Sequence, residues 1–443
     1  PPGQGELVLN GDIFDFDAVM ALPTDGSLHL HWLEQLRGLN PEENKSRFKM
    51  ERIIADHPIW FQAASEFVRA GHKVVFVIGN HDIELHWPSV QDAILSALKL
   101  PDSEATARVV FTEWFYLSGG DTLFEHGNQY DSYSLCANPI HPTIRKNRHE
   151  LMRLPFGNLA NKFMMNGMGY FNPHVQSRYI MTFAEYVRFF FTKIVRSQPM
   201  LVWTWFWGAL VTLIYSIHEG LLPSNRDPLT VEDRVEAIAA RAQATPRVVR
   251  QLYEIRAHPS SHEPLRILRE LWLDRALLVV LGILGSFYLF SFVNVFWRIS
   301  IFWMLIPLII FTPFFLFYAR SIKPEITTDL QAPLQEILNS AKIVGVNRLV
   351  HGHTHCEIHT QLTELKIELL NAGSWSPAFS DVECKIPIGN KPFVWIHPPE
   401  GTPAGTPRVA QLFEWKPASN QAASTGEKWS LLPQTSPSAT SQR

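Results

Sequence analysis

The sequence predicts a mixed α/β domain interrupted by a largely helical, membrane-associated insertion. Three observations lead there. Short apolar runs that end in glycine and polar turns recur through the first third of the chain. The same pattern returns far downstream, and three long uncharged stretches occupy the interval between.

Leu7-Val8-Leu9 leads into Asn10-Gly11-Asp12. Val74-Val75-Phe76-Val77-Ile78 leads into Gly79-Asn80-His81-Asp82, and Leu123-Phe124 into Glu125-His126-Gly127. Buried strands read this way, because glycine permits the tight turn and polar groups gather where the strand leaves the core. Residues 58–70 fit a helix that stops at Gly71, a C′ glycine. Strand, helix, strand with polar clusters at strand ends is how open α/β sheets present sites.

Downstream, Arg348-Leu349-Val350 runs into His351-Gly352-His353-Thr354-His355. Lys366-Ile367-Glu368-Leu369-Leu370 then runs into Asn371-Ala372-Gly373-Ser374-Trp375. One domain, residues 1–145 and 325–416, is therefore expected to be split by an insertion over 146–324. The tail, 417–443, is rich in Ser, Thr, Pro, Gln and Ala and is expected to be disordered.

The insertion is different in kind. Residues 199–217, 276–297 and 299–319 are uncharged for 19, 22 and 21 positions, each enough to cross a hydrocarbon core of about 30 Å. The two halves of the domain must share one aqueous compartment, so the crossings between them are even in number. The pair 276–297 and 299–319 makes the simplest hairpin, with Pro307 and Pro313 able to bend its second arm. The tryptophan-rich 199–217 stretch then lies in the interface or re-enters. Arg188, Lys193, Arg196, Arg320 and Lys323 flank these stretches and favour a cytoplasmic catalytic domain. Residues 231–275 carry apolar positions such as Val235, Ile238, Ala239 and Ala242 at helical spacing and read as surface helices.

Composition narrows the function. The 443 residues suffice for two or three domains, and 46% hydrophobic content is globular. A net charge of −3 argues against a nucleic-acid-binding surface, which needs clustered bases. Cys136, Cys356 and Cys384 are too few and scattered for a disulfide framework and read as reduced thiols.

Four polar blocks carry chemistry, in order: Gly11-Asp12-Ile13-Phe14-Asp15, Gly79-Asn80-His81-Asp82, His126-Gly127 and Gly352-His353-Thr354-His355. Each follows a strand-like run. A carboxylate can bridge two cations, while imidazole and amide oxygen suit divalent metals. In a strand, His-x-His would send both imidazoles to one face.

With these blocks the chain resembles the calcineurin-like metallophosphoesterases over about 1–131 and 340–380. The resemblance implies a β-sandwich flanked by helices and two divalent metal ions, Mn, Fe, Zn or Mg. It implies that Asp12 bridges the ions, that Asn80, His126 and His353 complete one site, and that His355 serves the other. A hydroxide held between the metals would attack a phosphomonoester, phosphodiester or pyrophosphate. His81 would steady the transition state or protonate the leaving alkoxide, with Asp82 positioning its ring, and Asp15 would orient nearby ligands. His351 and His359 have no block of their own and read as supporting or surface residues; His72, His86 and His218 carry no signal. The family's upstream Asp-x-His is not among the eleven residues before Asp12; the start without methionine leads to the expectation that it lies upstream of this sequence, the alternative being that the protein never had it.

His126-Gly127-Asn128-Gln129-Tyr130-Asp131 and the insertion before Gly-His-x-His are similar to the UDP-2,3-diacylglucosamine hydrolase branch. That branch has arginine where His81 stands and a shorter insertion without spans. The general expectation is a membrane-associated hydrolase of a lipid-linked phosphoester. The alternatives are a membrane-tethered phosphatase or phosphodiesterase for soluble substrates, and a non-catalytic relative.

Overall fold

The structure is a computed structural model that describes residues 4–146, 149–168, 188, 192, 200–222, 228–321, 334–376, 378–379, 387–388, 391–399, 403, 406–416 and 421–424. Its centre is a mixed α/β body in which two sheets face one another. The first sheet is parallel, with the order β1 (Glu6–Asn10), β2 (Lys73–Val77), β3 (Val109–Thr112). Parallel neighbours need crossover connections, and the sequence supplies helices for them. These are α1 (Glu43–Asp56) and α2 (Pro58–Arg69) before β2, and α3 (Pro88–Leu98) before β3. Helix α2 opens on Pro58, where a missing N–H costs nothing, and Gly71 follows its end at φ 93°.

The second sheet contains β4 (Phe115–Ser118), β5 (Thr122–Glu125), β8 (Arg348–His351), β9 (Glu357–Leu362) and β10 (Ile367–Ala372), in the order β4-β5-β8-β10-β9. β5 and β8 pair in parallel although Thr122 and Arg348 stand 226 positions apart. Between the sheets lie Val75, Val77 and Tyr116, with Val8, Val110 and Phe124 against them. The alternate residues Val74 and Phe76 face outward onto Phe61, Val68, Val90 and Ile94 of α2 and α3. Strand β2 is thus apolar on both faces, as its sequence requires.

The outer face of the second sheet differs from expectation. Leu123, Leu349 and Leu369 are covered by α5 (Pro228–Arg241), α6 (Pro246–Glu254) and α9 (Leu334–Val344), through Val235, Ile238, Ala239, Val249, Leu252, Ile337 and Ala341. Two helices expected to be peripheral parts of the insertion are therefore a layer of the domain. Their amphipathic stripes need an apolar partner, and the sheet's outer face is the partner within reach.

A hairpin, β6 (Thr143–Lys146) with β7 (His149–Met152), leads out of the domain. A third sheet joins β11 (Lys391–His397), β12 (Val409–Lys416) and β13 (Gln421–Ser424), and Val394, Ile396 and Ala410 pack on Val350 and Leu370. β13 falls in the tail expected to be disordered. Four residues can complete an antiparallel edge through backbone hydrogen bonds, which a compositional average does not register. Residues 425–443 lie outside the described set.

Of the three uncharged stretches, two form helices long and apolar enough to cross a membrane. These are Leu273–Phe296 (α7), in which Leu273, Asp274, Arg275 and Ser286 are buried, and Ile301–Ser321, whose α-helical part is α8 (Leu305–Ser321) with no buried residue. Pro313 lies inside α8. The first stretch forms α4 (Leu201–Leu221) and behaves differently. Its Gly208, Ala209, Thr212 and Ser216 are turned inward, and a Cβ on Gly208 would come within 2.8 Å of the Phe163 carbonyl. Val202, Trp203, Phe206, Trp207 and Ile214 are exposed on its other side. Buried Arg153 pairs with Glu219 and anchors the end of α4 to the domain. Pro199, Lys193, Arg196 and Lys323 lie outside the described residues.

Candidate metal centre

The polar blocks meet where β1, β2, β5 and β8 end. Asp12, His126 and His353 offer ligand atoms that all lie within 4.8 Å of one another. Gly11 makes this possible. It sits at φ 78°, and a Cβ there would collide with the His126 ring at 2.2 Å. Gly79 passes as closely, since a Cβ would lie 2.4 Å from Asp12 Oδ1. The His81 N–H donates to the same Asp12 oxygen at 2.9 Å, so the loop brackets Asn80 beside the carboxylate.

Hydrogen bonds fix how the imidazoles point. His126 Nδ1 lies 2.9 Å from the Asn10 carbonyl, an acceptor, so Nδ1 carries the proton and Nε2 keeps its lone pair. Nε2 stands 3.0 Å from Asp12 Oδ2 without the alignment of a hydrogen bond. His353 Nε2 lies 3.0 Å from Asp131 Oδ2, which leaves Nδ1 for another partner. Asp131 is the kind of carboxylate that orients a ligating histidine.

The donor set fits a divalent cation. Asn80 Oδ1 is buried without a hydrogen-bond partner, an arrangement that costs free energy unless something is bound, and His126 Nε2 has only the Asp12 carboxylate beside it. Burial pushes the Asp12 carboxyl up, but the charges of His126, His81 and His353 outweigh it and hold it well below the usual range. Burial works against a proton on His126, and Asp12 overcomes that and raises it. A proton on Nε2 and a cation compete for the same space.

His355 stands in neither group of three converging Asp and His side chains among the described residues, and a pairing of Asp12 with His355 alone would be a smaller group than these. Strand β8 ends at His351. His353 and His355 follow in a turn at φ 59° and 56°, so the alternation that would align them does not operate. Asp12, at φ 52°, is a third left-handed residue here. Such backbone strain, tolerated at sites, aims the ligands more than strand direction does.

His81 forms a second cluster with Asp15 and Asp17. Its Nδ1 lies 3.5 Å from Asp15, 3.8 Å from Asp17 and 3.3 Å from the Asn161 amide. Burial disfavours the imidazolium, but Asp12, Asp15 and Asp17 outweigh it and raise His81 to about 10. The imidazolium offsets one of the two carboxylates of this cluster. Asp17 itself is pushed up to about 7 by burial and by Asp15.

Asp82 does not face the His81 ring, contrary to expectation. Its oxygens accept the Gly79 N–H at 2.6 Å and the Ile13 N–H at 2.8 Å, which clips the two loops together. The positioning role falls to Asp15, Asp17 and Asn161. Asn158 adds to it, donating to Asp17 at 2.5 Å and to the Asn80 carbonyl at 2.8 Å. Sequence reasoning missed Asp17, Asn158 and Asn161. Only Asp17, two positions beyond Asp15, lay close enough to a block for the sequence to signal it.

No family model, curated protein or solved structure matches the chain.

Proposed function

We propose that the chain is a membrane-associated, metal-dependent phosphoric ester hydrolase related to the calcineurin-like metallophosphoesterases. The observation that carries the reading is the convergence of Asp12, His126 and His353, with Asn80 Oδ1 of the adjoining loop buried and without a hydrogen-bond partner. Asp12, Asn80, His126 and His353 would hold one divalent ion, Mn, Fe, Zn or Mg. For a second ion the described residues offer Asp12 and His355 alone, so no step is assigned to it. A bound divalent ion supplies Lewis acidity toward phosphoryl oxygens and acidifies water at neutral pH.

The chain's own residues do the rest. His81, an imidazolium at neutral pH, faces an anionic phosphoryl group and can pass a proton to the leaving alkoxide. Asp15, Asp17 and Asn161 hold its ring. Asp131 fixes His353, and the Asn10 carbonyl fixes His126.

Apolar surface lies close to this chemistry. Asn161 opens a single π-helical turn, Asn161–Met165, and Phe163 in that turn meets Tyr215 of α4 with ring centroids 4.7 Å apart. An esterified headgroup could reach His81 while its tail stays with the exposed faces of α4, α7 and α8. This supports a lipid-linked phosphomonoester, phosphodiester or pyrophosphate as substrate. By the positive-inside rule the catalytic domain faces the cytoplasm.

Full-length protein in detergent or nanodiscs, assayed with Mn²⁺ against aryl mono- and diesters and lipid pyrophosphates, tests the proposal. Hydrolysis is expected to need metal and to fall at least 10³-fold, on the order of magnitude by which loss of a key electrostatic contact slows catalysis, in Asp12→Ala. Hydrolysis that survives Asp12→Ala would overturn the mechanism, and a wild type inert toward every ester would favour the non-catalytic reading.

A further inference from the structure

Behind the cluster, on the side away from Asp12, sits a carboxylate with no assigned role. Glu125 is completely buried, and the residue after it is His126. Its side chain accepts hydrogen bonds from Tyr130 Oη at 3.1 and 3.2 Å and from Ser340 Oγ at 2.9 Å. His351 Nε2 stands 3.4 Å from Glu125 Oε2. These partners come from separate parts of the chain. Tyr130 precedes Asp131, the residue facing His353. His351 is the in-register neighbour of Glu125 across β5 and β8 and lies two positions before His353. Ser340 projects from α9, on the far side of the interrupting helices.

Contacts around the backbone converge on the same place. Asn10, two positions before Asp12, donates to the Glu125 carbonyl at 3.0 Å and the Val350 carbonyl at 3.4 Å. The Gly352 N–H donates to the His126 carbonyl at 2.9 Å. Gly127 leaves so little room that a Cβ there would lie 3.0 Å from the His351 ring. A buried carboxylate in such a place is costly unless its oxygens are satisfied, and here they draw in the segments bearing His126, Asp131 and His353.

Resting on the proposal that Asp12, His126 and His353 hold a divalent ion, we infer that Glu125 is a positioning residue for that ion. It acts through Tyr130, Ser340 and His351 and sets the spacing between His126 and His353. Outer carboxylates of this kind govern metal affinity by holding ligands in place.

The test is titration of the full-length, metal-stripped protein with Mn²⁺ by calorimetry, alongside circular dichroism. Glu125→Gln keeps the shape but loses the charge, and is expected to stay folded and bind Mn²⁺ about 10- to 100-fold more weakly. Excess Mn²⁺ should then restore kcat with KM unchanged, which a merely structural defect would not do. A folded Glu125→Gln protein that binds Mn²⁺ as tightly as wild type overturns the inference. Should Glu125→Gln fail to fold, Ser340→Ala and Tyr130→Phe remove single donors to the carboxylate. Weaker Mn²⁺ binding in both supports the inference, and unchanged binding in both overturns it. A wild type that takes up no Mn²⁺ fails at the earlier step, because the metal site itself then falls.

Discussion

Strand β2 and helix α7 are both unbroken apolar runs, and they end in opposite surroundings. Val75, Phe76 and Val77 are 0% exposed between helices and a second sheet. Helix α7 buries only Leu273, Asp274 and Arg275 at its start and Ser286 farther along. An apolar run states that a segment must leave water, not what it leaves water for. Length decides between the outcomes. Five strand residues are satisfied by one layer on each face, whereas 24 helical residues outreach any layer of this domain and match a bilayer. Helix α4 stands between the two, one face closed by the domain and the other open.

The comparison can be broken by truncating one aromatic in each region. Phe76→Ala should cost about 3–5 kcal/mol of domain stability through the cavity it leaves. Phe292→Ala, at a side chain 65% exposed, should change detergent-solubilised stability by less than about 0.5 kcal/mol. Paired denaturant melts read both, and equal losses would show that α7 is packed against protein after all.

A charge at the middle of α7 sharpens the contrast from the other side. Leu284→Lys should weaken membrane insertion by about 2.5–3.5 kcal/mol, visible as a shift of protein out of the membrane fraction. Unchanged partitioning would argue that α7 does not span.

Acid tests the buried domain on its own. His86 Nδ1 donates to the Ile83 carbonyl at 2.8 Å, and burial lowers the ring to about 4, helped by Arg234 and Arg241. Below its ordinary 6.5 the unfolded imidazole takes up a proton that the folded one refuses until about 4. The unfolded state therefore binds more protons in that window, and stability falls as pH drops through it. His86→Gln should flatten this limb by on the order of 3 kcal/mol, read by denaturant melts repeated across the window. An acid limb unchanged by the substitution would remove His86 as its source.

Much of the domain was legible before any coordinates. Asp12, Asn80 and His126 each follow an apolar run, because a buried strand must end where its polar residues can turn out of the core. The two long apolar helices were legible as well, because 276–297 and 299–319 are long uncharged runs. The role of α5 was not legible. Val235, Ile238 and Ala239 show that a face is buried but not that the face belongs to Leu123 and Leu349.

Local sequence determined the ligand types, the strand ends that carry them and the length of the apolar helices, because these depend on neighbours within a few positions. Only the tertiary structure decided the aim of the site. It turned His353 and His355 out of strand geometry through left-handed backbone, gave Asp82 to two loop amides, and gave His81 to Asp15, Asp17 and Asn161. Asn158 and Asp17 are 141 positions apart, and Ser340 and Glu125 are 215. Contacts at such separations depend on how layers stack, and stacking is set by the summed burial of many apolar side chains rather than by any one block.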